Sequence, residues 1–462
     1  MMLSLRLFFS GERKVFVAAM LIMAGCLIAF GCKKEDPPAP PDNNQNGNGN
    51  GDTLPPPCES EHEPIIFLHG FLASGDTWAP QVMRFTSNNY CENLLYVYDW
   101  NTLNFGSDVN ALDRFIDSIR ALHSGKKVNL VGHSAGGGYG YTYCESAERA
   151  AKVAHYVHIG SSSQSSPAGP NDEVPTLCIS SPDDKTTGAS TITGATNVSV
   201  PGKDHYQIAT CAETFREMYK FFNEGKEPAT TDVVTLSGLV RIGGRALTLG
   251  DNAPHDQATV NIYRVDPATG DRVQAAPVAT LQTNSAGYWG PLSLDAGITY
   301  EFEIISGKPG DRVIYYYREG FRHHNPLVYL RTVPPAGSLA GLLLSALPKN
   351  DNQTVLAVFT SSQATVAGRD VLTVDNTTLS TNDIMPASAT VIATFLYDDN
   401  NNQKTDLTKP LAFLFMTQFL TARDMYFQTV TPASIQLSLN GRKLAVRNRK
   451  SASEGIVVAV FD

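Results

Sequence analysis

The stretch "VNLVGHSAGGG", residues 128–138, decides the fold of this 462-residue chain. It begins as a mostly apolar run of strand length and ends in a serine enclosed by glycines. Gly132 and Gly136 have no Cβ, so they permit a turn in which neighbouring segments almost touch. We therefore predict a buried strand, a sharp turn at Ser134 and a glycine-rich start to a helix.

The turn at residues 132–136 has the G-x-S-x-G pattern of a nucleophile elbow. Such a turn presents the serine hydroxyl at the carboxyl edge of a sheet, beside a helix N-terminus that favours a developing anion. Ser134 is therefore the candidate nucleophile. The backbone N–H groups of Ala135 and of Phe71, which follows the first apolar strand, are the candidate donors to an oxyanion.

A nucleophilic serine needs a histidine base and an acid, which in this arrangement follow it in the order Ser, Asp or Glu, His. Asp183 and Asp184 follow the apolar run "TLCIS", and His205 follows "NVSV". Both positions lie just past a predicted strand, at the sheet edge where ligands bind. His205 is the candidate base. We favour Asp183 as the acid and keep Asp184 as the alternative.

Strand-like and helix-like segments alternate from residue 58 to residue 226. Residues 65–70 and 94–100 are continuous apolar runs, typical of a parallel sheet covered on both faces. Residues 109–122 and 212–222 have apolar side chains at helical spacing. We predict a minimal α/β domain over 58–226. Further histidines in it, namely His133, His155 and His158, are expected to be structural.

The chain beyond this domain changes to short alternating strands and turns. The pattern predicts an antiparallel β-sandwich over residues 233–332 and a second β-rich domain over 335–462, with no convincing helix. The fold class is thus α/β, followed by one or two antiparallel sandwich-like or barrel-like domains. The aromatic residues of this region, Tyr315, Tyr316, Tyr317 and Phe321, suit either a lipid contact or a core, and we favour the core.

The N-terminal residues 1–31 resemble a bacterial lipoprotein signal peptide, with basic residues before an uncharged apolar run. Cys32 is the expected lipidation site, and Cys26 is the competing one. An uncleaved transmembrane anchor is the alternative, although the apolar run is short for a full span. Residues 32–57, rich in Pro, Asn and Gly, predict a flexible linker. We expect an exported protein, lipid-anchored to a bacterial membrane, at the outer membrane or cell surface.

Export makes disulfides permissible for the five cysteines that follow the linker. We predict that Cys58 pairs with Cys91 and that Cys178 pairs with Cys211. Cys144 is then left as a core thiol. Five free thiols are the alternative.

Residues 63–222 resemble the α/β-hydrolase lipases, above all a group typified by an archaeal lipase with a C-terminal lipid-binding β-domain. The motifs are "FLHGFLASGDTW", "VGHSAGG" and "DHYQIATCAETFREMYKFF", and the likeness continues through "VNIYRVDPATGDR" and "NSAGYWGP". The resemblance implies cleavage of fatty-acyl esters by Ser134, Asp183 and His205, with Phe71 and Ala135 as oxyanion donors. The serine-rich "SSPD" of small lipases favours Asp183. Residues 161–174 leave no obvious lid insertion.

Other classes of function have weaker support. The net charge of −9, without a basic aromatic-interleaved patch, argues against a nucleic-acid partner. No cofactor or metal is expected: residues 398–406 space oxygen ligands like a calcium loop but lack its glycine and glutamate. A polyester depolymerase, an acyltransferase and a non-catalytic surface binding protein remain as alternatives to a lipase or esterase.

Overall fold

The computed structural model describes residues 58, 60–103, 108–335, 337–411, 419–429 and 434–462. The predicted signal peptide and most of the linker, including Cys32, lie outside these residues. Within them, no helix has the length and hydropathy needed to cross a membrane.

The N-terminal part of the described chain is a six-stranded parallel sheet in the order β2-β1-β3-β4-β5-β6. Its strands are β1 (Ile65–Leu68), β2 (Leu95–Tyr98), β3 (Val128–His133), β4 (Val153–Ile159), β5 (Thr176–Ser180) and β6 (Thr196–Ser199). The chain order reverses direction between β1 and β3, so the carboxyl ends of these two strands flank the crevice in which such sheets bind ligands.

Helices cover both faces of this sheet. They are α1 (Ala79–Ser87), α2 (Val109–Leu122), α3 (Ala135–Tyr143), α4 (Ala147–Ala150), α5 (Gln207–Thr210) and α6 (Ala212–Phe222), with 3-10 turns at Gly75–Trp78 and Glu92–Leu94. The predicted bounds of α2 and α6 are confirmed. Asp108 begins α2 because its carboxylate accepts the N–H groups of Asn110 and Ala111.

Alternate residues of β1 explain why the strand is apolar throughout. Ile66 and Leu68 pack with α2 and α3 on one face, whereas Ile65 and Phe67 pack with α1 and α6 on the other. All four side chains are fully buried. A strand that is buried on both faces loses the polar alternation of a half-exposed strand, as the sequence predicted.

The C-terminal part is built from three further sheets, which pair in the orders β10-β7-β13, β18-β19-β17-β14-β22-β12-β11-β8-β9 and β16-β15-β20-β21. Their strands are β7 (Leu239–Thr248), β8 (Thr259–Arg264), β9 (Ala279–Gln282), β10 (Tyr288–Asp295), β11 (Tyr300–Ile305), β12 (Ile314–Arg318), β13 (Leu330–Thr332), β14 (Leu356–Thr360), β15 (Leu372–Val374), β16 (Thr377–Thr378), β17 (Ala393–Tyr397), β18 (Asp406–Pro410), β19 (Leu420–Asp424), β20 (Ser434–Leu439), β21 (Arg442–Arg447) and β22 (Ile456–Phe461). We call residues 238–462 the β region.

The last strand joins the two halves of the β region. β22 lies between β12 and β14 and pairs with both in parallel. Residues on either side of position 335 therefore share one sheet. A short helix, α7 (Leu339–Leu344), follows that position, so the expectation of a helix-free region was wrong there.

The aromatic run of β12 lies in the core, as we favoured. Tyr316 belongs to one buried cluster, together with Phe321, whereas Tyr315 and Tyr317 belong to the cluster on the other face of the sheet. The alternation follows from the two-residue period of a strand.

The cysteines confirm one of the two predicted disulfides. Cys58 and Cys91 are bonded, with their Cα atoms 5.5 Å apart. The pairing of Cys178 with Cys211 was wrong, because both thiols are free, as is that of Cys144. The Cys178 thiol contacts the carbonyl oxygen of Ser190, and the Cys211 thiol contacts the hydroxyl of Thr214.

Candidate active site

The predicted turn at Ser134 is confirmed in its geometry. Ser134 has φ 53° and ψ −122°, a conformation that costs a non-glycine residue free energy. A Cβ on Gly132 would lie 2.4 Å from the carbonyl oxygen of Gly136, and a Cβ on Gly136 would lie 2.5 Å from the carbonyl oxygens of Leu68 and His69. Glycine is therefore the one residue that fits either position without a shift of the backbone.

Three side chains form a hydrogen-bonded row at the carboxyl edge of the sheet. Nε2 of His205 lies 2.9 Å from Oγ of Ser134, and Nδ1 of His205 lies 2.7 Å from Oδ2 of Asp184. His205 and Asp184 are each 2% exposed, so their contact is shielded from water, whereas Ser134 is half-buried. The geometry of nucleophile, base and orienting acid is thus present.

Asp184 is held ionised by its partners. Burial raises the pKa of this carboxyl, but hydrogen bonds from His205, the Thr187 hydroxyl and the Thr186 N–H outweigh burial and bring the pKa below its usual value. A carboxylate at this point can accept the Nδ1–H of the imidazole and leave Nε2 free to face the serine.

The structure corrects our choice of the acid. Asp183 is exposed, and its carboxylate accepts the N–H of Gly202 at 2.7 Å. The chain turns after β5, where the N–H of Asp184 donates to the carbonyl oxygen of Ser181. This turn directs Asp184 inward and Asp183 outward, so the preference for Asp183 was wrong and the alternative Asp184 meets His205.

The other histidines have structural contacts. Nε2 of His133 donates to the carbonyl oxygen of His205 at 2.7 Å, and burial lowers the pKa of His133 to about 3, so this ring is neutral at neutral pH. His133 thereby supports the backbone of the candidate base. His155 bonds Asn129, and His158 bonds the carbonyl oxygen of Ser162.

The two expected oxyanion donors lie on either side of Ser134. Ala135 is the first residue of α3. Phe71 follows Gly70, where a Cβ would lie only 3.1 Å from Cβ of Ser134, so the loop after β1 runs directly against the nucleophile. Their role in binding an oxyanion stays a prediction.

An aromatic residue that the sequence did not reveal covers this site. The Phe419 ring stacks with His205 at 6.0 Å between centroids and lies 6.4 Å from the Phe71 ring. Phe419 belongs to the β region, immediately before β19. The apolar run "LAFLFMT", residues 411–417, predicts a strand but not this contact, and it lies, apart from Leu411, outside the described residues.

An apolar cavity lies between the part of the chain that carries the parallel sheet and the β region. Its volume is about 50 Å³. From the N-terminal part it is lined by Leu72, Ala73, Asp76 and Tyr206, of which Leu72 and Tyr206 directly follow Phe71 and His205 in the chain. The lining from the β region includes the polar Arg318 and Arg331 and is otherwise mostly apolar, with Leu249, Tyr316, Ala340, Leu344, Phe359, Ile392, Leu420 and Val460. Trp78, which follows the same loop, does not line this cavity and is buried against Phe67.

No metal centre emerges from the part of the chain that the structure describes, where no three histidine, cysteine or acidic side chains converge. In the loop considered for calcium, both carboxylate oxygens of Asp398 accept N–H groups, from Asn402 and Gln403. Asn400 donates to Asp424. These hydrogen bonds hold the loop to its own backbone and to β19. That the loop binds no metal stays a prediction.

Comparison with known proteins gives the class to which this fold and site belong. A family model described as the α/β-hydrolase fold matches residues 63–190, and one described as the lipase C-terminal domain matches 238–335. A further model, described as a C-terminal domain, matches 347–462. These matches support an α/β-hydrolase of the lipase and esterase family, in which the hydrolase domain is followed by β-rich C-terminal domains.

Solved structures of other hydrolases and of a bromoperoxidase resemble about a third of the chain. A lipase of Bacillus licheniformis is 15% identical, with a TM-score of 0.30 over 36% of this chain and 94% of its own. A predicted hydrolase of Thermoplasma acidophilum is 16% identical, with a TM-score of 0.28 over 36% and 88%. A bromoperoxidase of Bacillus anthracis is 16% identical, with a TM-score of 0.26 over 35% and 92%. The assignment rests on the family models and the strand order.

Proposed function

We propose that this protein is an exported serine carboxylester hydrolase that cleaves fatty-acyl esters through an acyl-enzyme intermediate. The observation that carries the proposal is the position of His205, whose two ring nitrogens lie within hydrogen-bond distance of Ser134 and Asp184. A base placed between a nucleophile and an orienting carboxylate is the arrangement that activates a serine hydroxyl.

The first half-reaction forms the acyl-enzyme. Nε2 of His205 takes the proton of Ser134 as Oγ attacks the ester carbonyl carbon, and the carbonyl oxygen becomes an oxyanion between the N–H groups of Phe71 and Ala135. His205 then gives the proton to the alcohol oxygen, the ester C–O bond breaks and the alcohol leaves. Asp184, ionised throughout, stabilises the imidazolium.

The second half-reaction hydrolyses the acyl-enzyme and regenerates the free hydroxyl of Ser134. A water molecule attacks the acyl carbonyl carbon while His205 takes a proton from that water. The second oxyanion accepts hydrogen bonds from the same two N–H groups, those of Phe71 and Ala135. The proton then passes to Oγ of Ser134 as the acyl C–O bond breaks. The balance is one ester and one water consumed, and one carboxylic acid and one alcohol produced.

The apolar cavity supports a fatty acyl group as the preferred acid part. Its lining includes Leu72 and Tyr206, which follow Phe71 and His205 in the chain, and aliphatic and aromatic side chains of the β region. Each methylene buried there contributes about 0.8 kcal/mol, so long chains gain most. A polyester or an acyl-transfer acceptor would use the same chemistry and is an alternative substrate.

Lipid anchoring through Cys32 belongs to the same proposal. The disulfide between Cys58 and Cys91 supports an oxidising compartment, where such bonds persist. An anchored enzyme with a flexible linker would act on lipid or other ester substrates outside the cytoplasm.

Hydrolysis of p-nitrophenyl butyrate and palmitate by the wild-type chain and by Ser134→Ala tests the proposal. We expect hydrolysis of both esters by the wild type, residual activity in Ser134→Ala reduced by about a millionfold, and a fluorophosphonate bound to Ser134 in the wild type alone. Ser161→Ala is the matched control, because its hydroxyl contacts the carbonyl oxygen of Ser134 and not His205. Equal activity of wild type and Ser134→Ala would overturn the proposal.

A further inference from the structure

We propose that the β region is part of the catalytic apparatus: Arg331 and Asn252 are positioning residues that hold the loop of residues 70–76 so that the N–H of Phe71 faces the oxyanion. The inference rests on the proposed function and deepens it, because it assigns to the β region a part in the chemical step. It concerns residues 70–76, which follow β1 and include the start of the first 3-10 turn, and which we call the oxyanion loop.

The oxyanion loop needs support from outside itself. It begins at Gly70, against Ser134, and its third residue, Leu72, has φ 58°, which strains a leucine. The hydrolase part supplies two bonds to it: the N–H of Leu72 donates to the Thr102 hydroxyl at 3.0 Å, and the N–H of Gly75 donates to Asp99 at 2.6 Å. A strained conformation persists when its surroundings determine it.

Asn252, in the turn after β7, is the first support from the β region. Its Nδ2 donates to the carbonyl oxygen of Ala73 at 2.9 Å and to that of Trp100 at 3.0 Å. Both atoms are backbone atoms, so the contact fixes the path of the chain and not only a side chain. Ala73 is two residues from Phe71.

Arg331, on β13, is the second support. Its Nη2 donates to Oγ of Ser74 at 2.6 Å and lies 2.7 Å from both carboxylate oxygens of Asp76. The side chains of Arg331 and Asp76 are 17% and 12% exposed, so water competes little for these bonds. A charge-assisted contact of this kind binds the end of the loop firmly.

Asp99 connects the same loop to the β region a third time. Its Oδ1 binds the N–H of Gly75, and its Oδ2 accepts hydrogen bonds from Nη1 of Arg245 at 2.6 Å and from the hydroxyl of Tyr329 at 2.7 Å. Arg245 lies on β7 and Tyr329 directly before β13. The oxyanion loop is therefore bound to the β region at three successive points, all within a few residues of Phe71.

Loosening of this loop has a specific kinetic signature. An oxyanion donor acts at about 2.7–3.1 Å from the charged oxygen, and a displacement of about 1 Å costs on the order of 100-fold in rate. The charge exists in the transition state and not in the bound ester. Loss of a positioning residue should therefore lower kcat and leave KM nearly unchanged.

The test uses the full chain and four variants, namely Arg331→Gln, Arg331→Lys, Asn252→Gly and the control Arg272→Gln. Glycine suits position 252 because Asn252 has φ 57°. Arg272 is a matched control, since it is an arginine of the β region paired with Glu301 and Glu303, at 20% exposure. Each variant is measured for kcat and KM on p-nitrophenyl butyrate, for Tm, and for inhibition by butylboronic acid, whose serine adduct carries a negative charge like the transition state.

We expect kcat to fall about 10-fold to 100-fold in Arg331→Gln and about 10-fold in Asn252→Gly, with KM within about twofold of wild type. The inhibition constant of the boronate should rise by the same factor as kcat falls. Arg331→Lys should recover part of the loss, because an ammonium keeps the positive charge of the contact but lacks the planar guanidinium with its several fixed donors. Arg272→Gln should keep wild-type kcat.

Unchanged kcat in Asn252→Gly and Arg331→Gln would overturn the inference, as would a loss of kcat with no weakening of the boronate. If Arg331→Gln does not fold, Asn252→Gly decides alone. Failure of the proposed function is distinct: a wild-type chain whose Ser134 resists fluorophosphonate overturns the function and this inference together, whereas an active wild type with unaffected variants overturns this inference only.

Discussion

Oδ2 of Asp184 lies 2.7 Å from Nδ1 of His205, whereas the carboxylate of the preceding Asp183 accepts the N–H of Gly202. We expect Asp184→Asn to lower kcat on p-nitrophenyl butyrate by about 10⁴-fold, because an amide at this point no longer favours the imidazole tautomer that faces Ser134. Asp183→Asn is the matched control and should retain nearly full kcat. Equal losses in the two variants would contradict the assignment of the acid.

Much of the hydrolase part was predictable because its signals are local. The continuous apolar β1, the helical spacing of α2 and α6, and the glycines around Ser134 each follow from steric and burial rules that act within a few residues. The choice between Asp183 and Asp184 failed because no local signal separates the two. The turn after β5 decides which side chain points inward, and both residues are aspartate.

The β region was less predictable because its structure depends on contacts between distant residues. β22 pairs with β12 across about 140 residues of chain, and nothing near residue 456 indicates that partner. The contacts of Arg331 with Asp76 and of Phe419 with His205 are likewise long-range. Sequence periodicity identifies which residues are buried, and not which buried residues meet.

The glycines of the elbow allow a direct steric test. We expect Gly132→Ala to destabilise the fold by at least about 1–3 kcal/mol, since its Cβ would lie 2.4 Å from a carbonyl oxygen that the helix start fixes. Gly138→Ala is the control: its Cβ meets nothing within 4 Å, and alanine is the better helix former by about 0.5–1 kcal/mol. Urea unfolding midpoints should therefore shift in opposite directions for the two variants.

The buried pair of Asp99 and Arg245 makes stability depend on acidity. Burial raises the pKa of Asp99, but the charge of Arg245, together with His69, the Tyr329 hydroxyl and the N–H of Gly75, outweighs burial, and the pKa lies below its usual value. The pair therefore stabilises the fold fully above about pH 4, the ordinary range of an aspartate, and this stabilisation is lost as pH falls through the lower folded value. Asp99→Asn should cost about 3–5 kcal/mol at pH 7, because Arg245 keeps a buried charge without its partner.

Urea unfolding of wild type and Asp99→Asn between pH 7 and pH 3 measures this dependence. The difference in unfolding free energy should be constant down to about pH 4 and shrink below it. Asp172→Asn, at an exposed aspartate, controls for the general effect of removing one carboxylate. A difference that stays constant to pH 3 would show that Asp99 does not titrate in the expected range.

The disulfide and the free thiols can be tested by counting the cysteines that an alkylating reagent labels. Without reductant, alkylation of the denatured mature protein should label Cys144, Cys178 and Cys211 and spare Cys58 and Cys91. Replacement of Cys91 by serine should lower stability by about 3–4 kcal/mol, as expected for a bond that closes a separation of 33 residues. Cys178→Ser is the control that breaks no disulfide. Protection of Cys178 and Cys211 from the reagent would contradict the free thiols.

The apolar cavity predicts a chain-length effect that separates acyl binding from catalysis. Ile392 lines the cavity, belongs to the β region and is not part of the row of Ser134, His205 and Asp184. We expect Ile392→Trp to lower kcat/KM for p-nitrophenyl palmitate at least about tenfold more than for the butyrate, because the indole occupies volume that the distal methylenes need, at about 0.8 kcal/mol each. Ile305→Trp, at an exposed isoleucine of the same region, should leave the ratio unchanged. Equal loss on both esters would mean that long chains bind elsewhere, and the fatty-acyl preference would then lose its structural support while the ester chemistry of Ser134 would not.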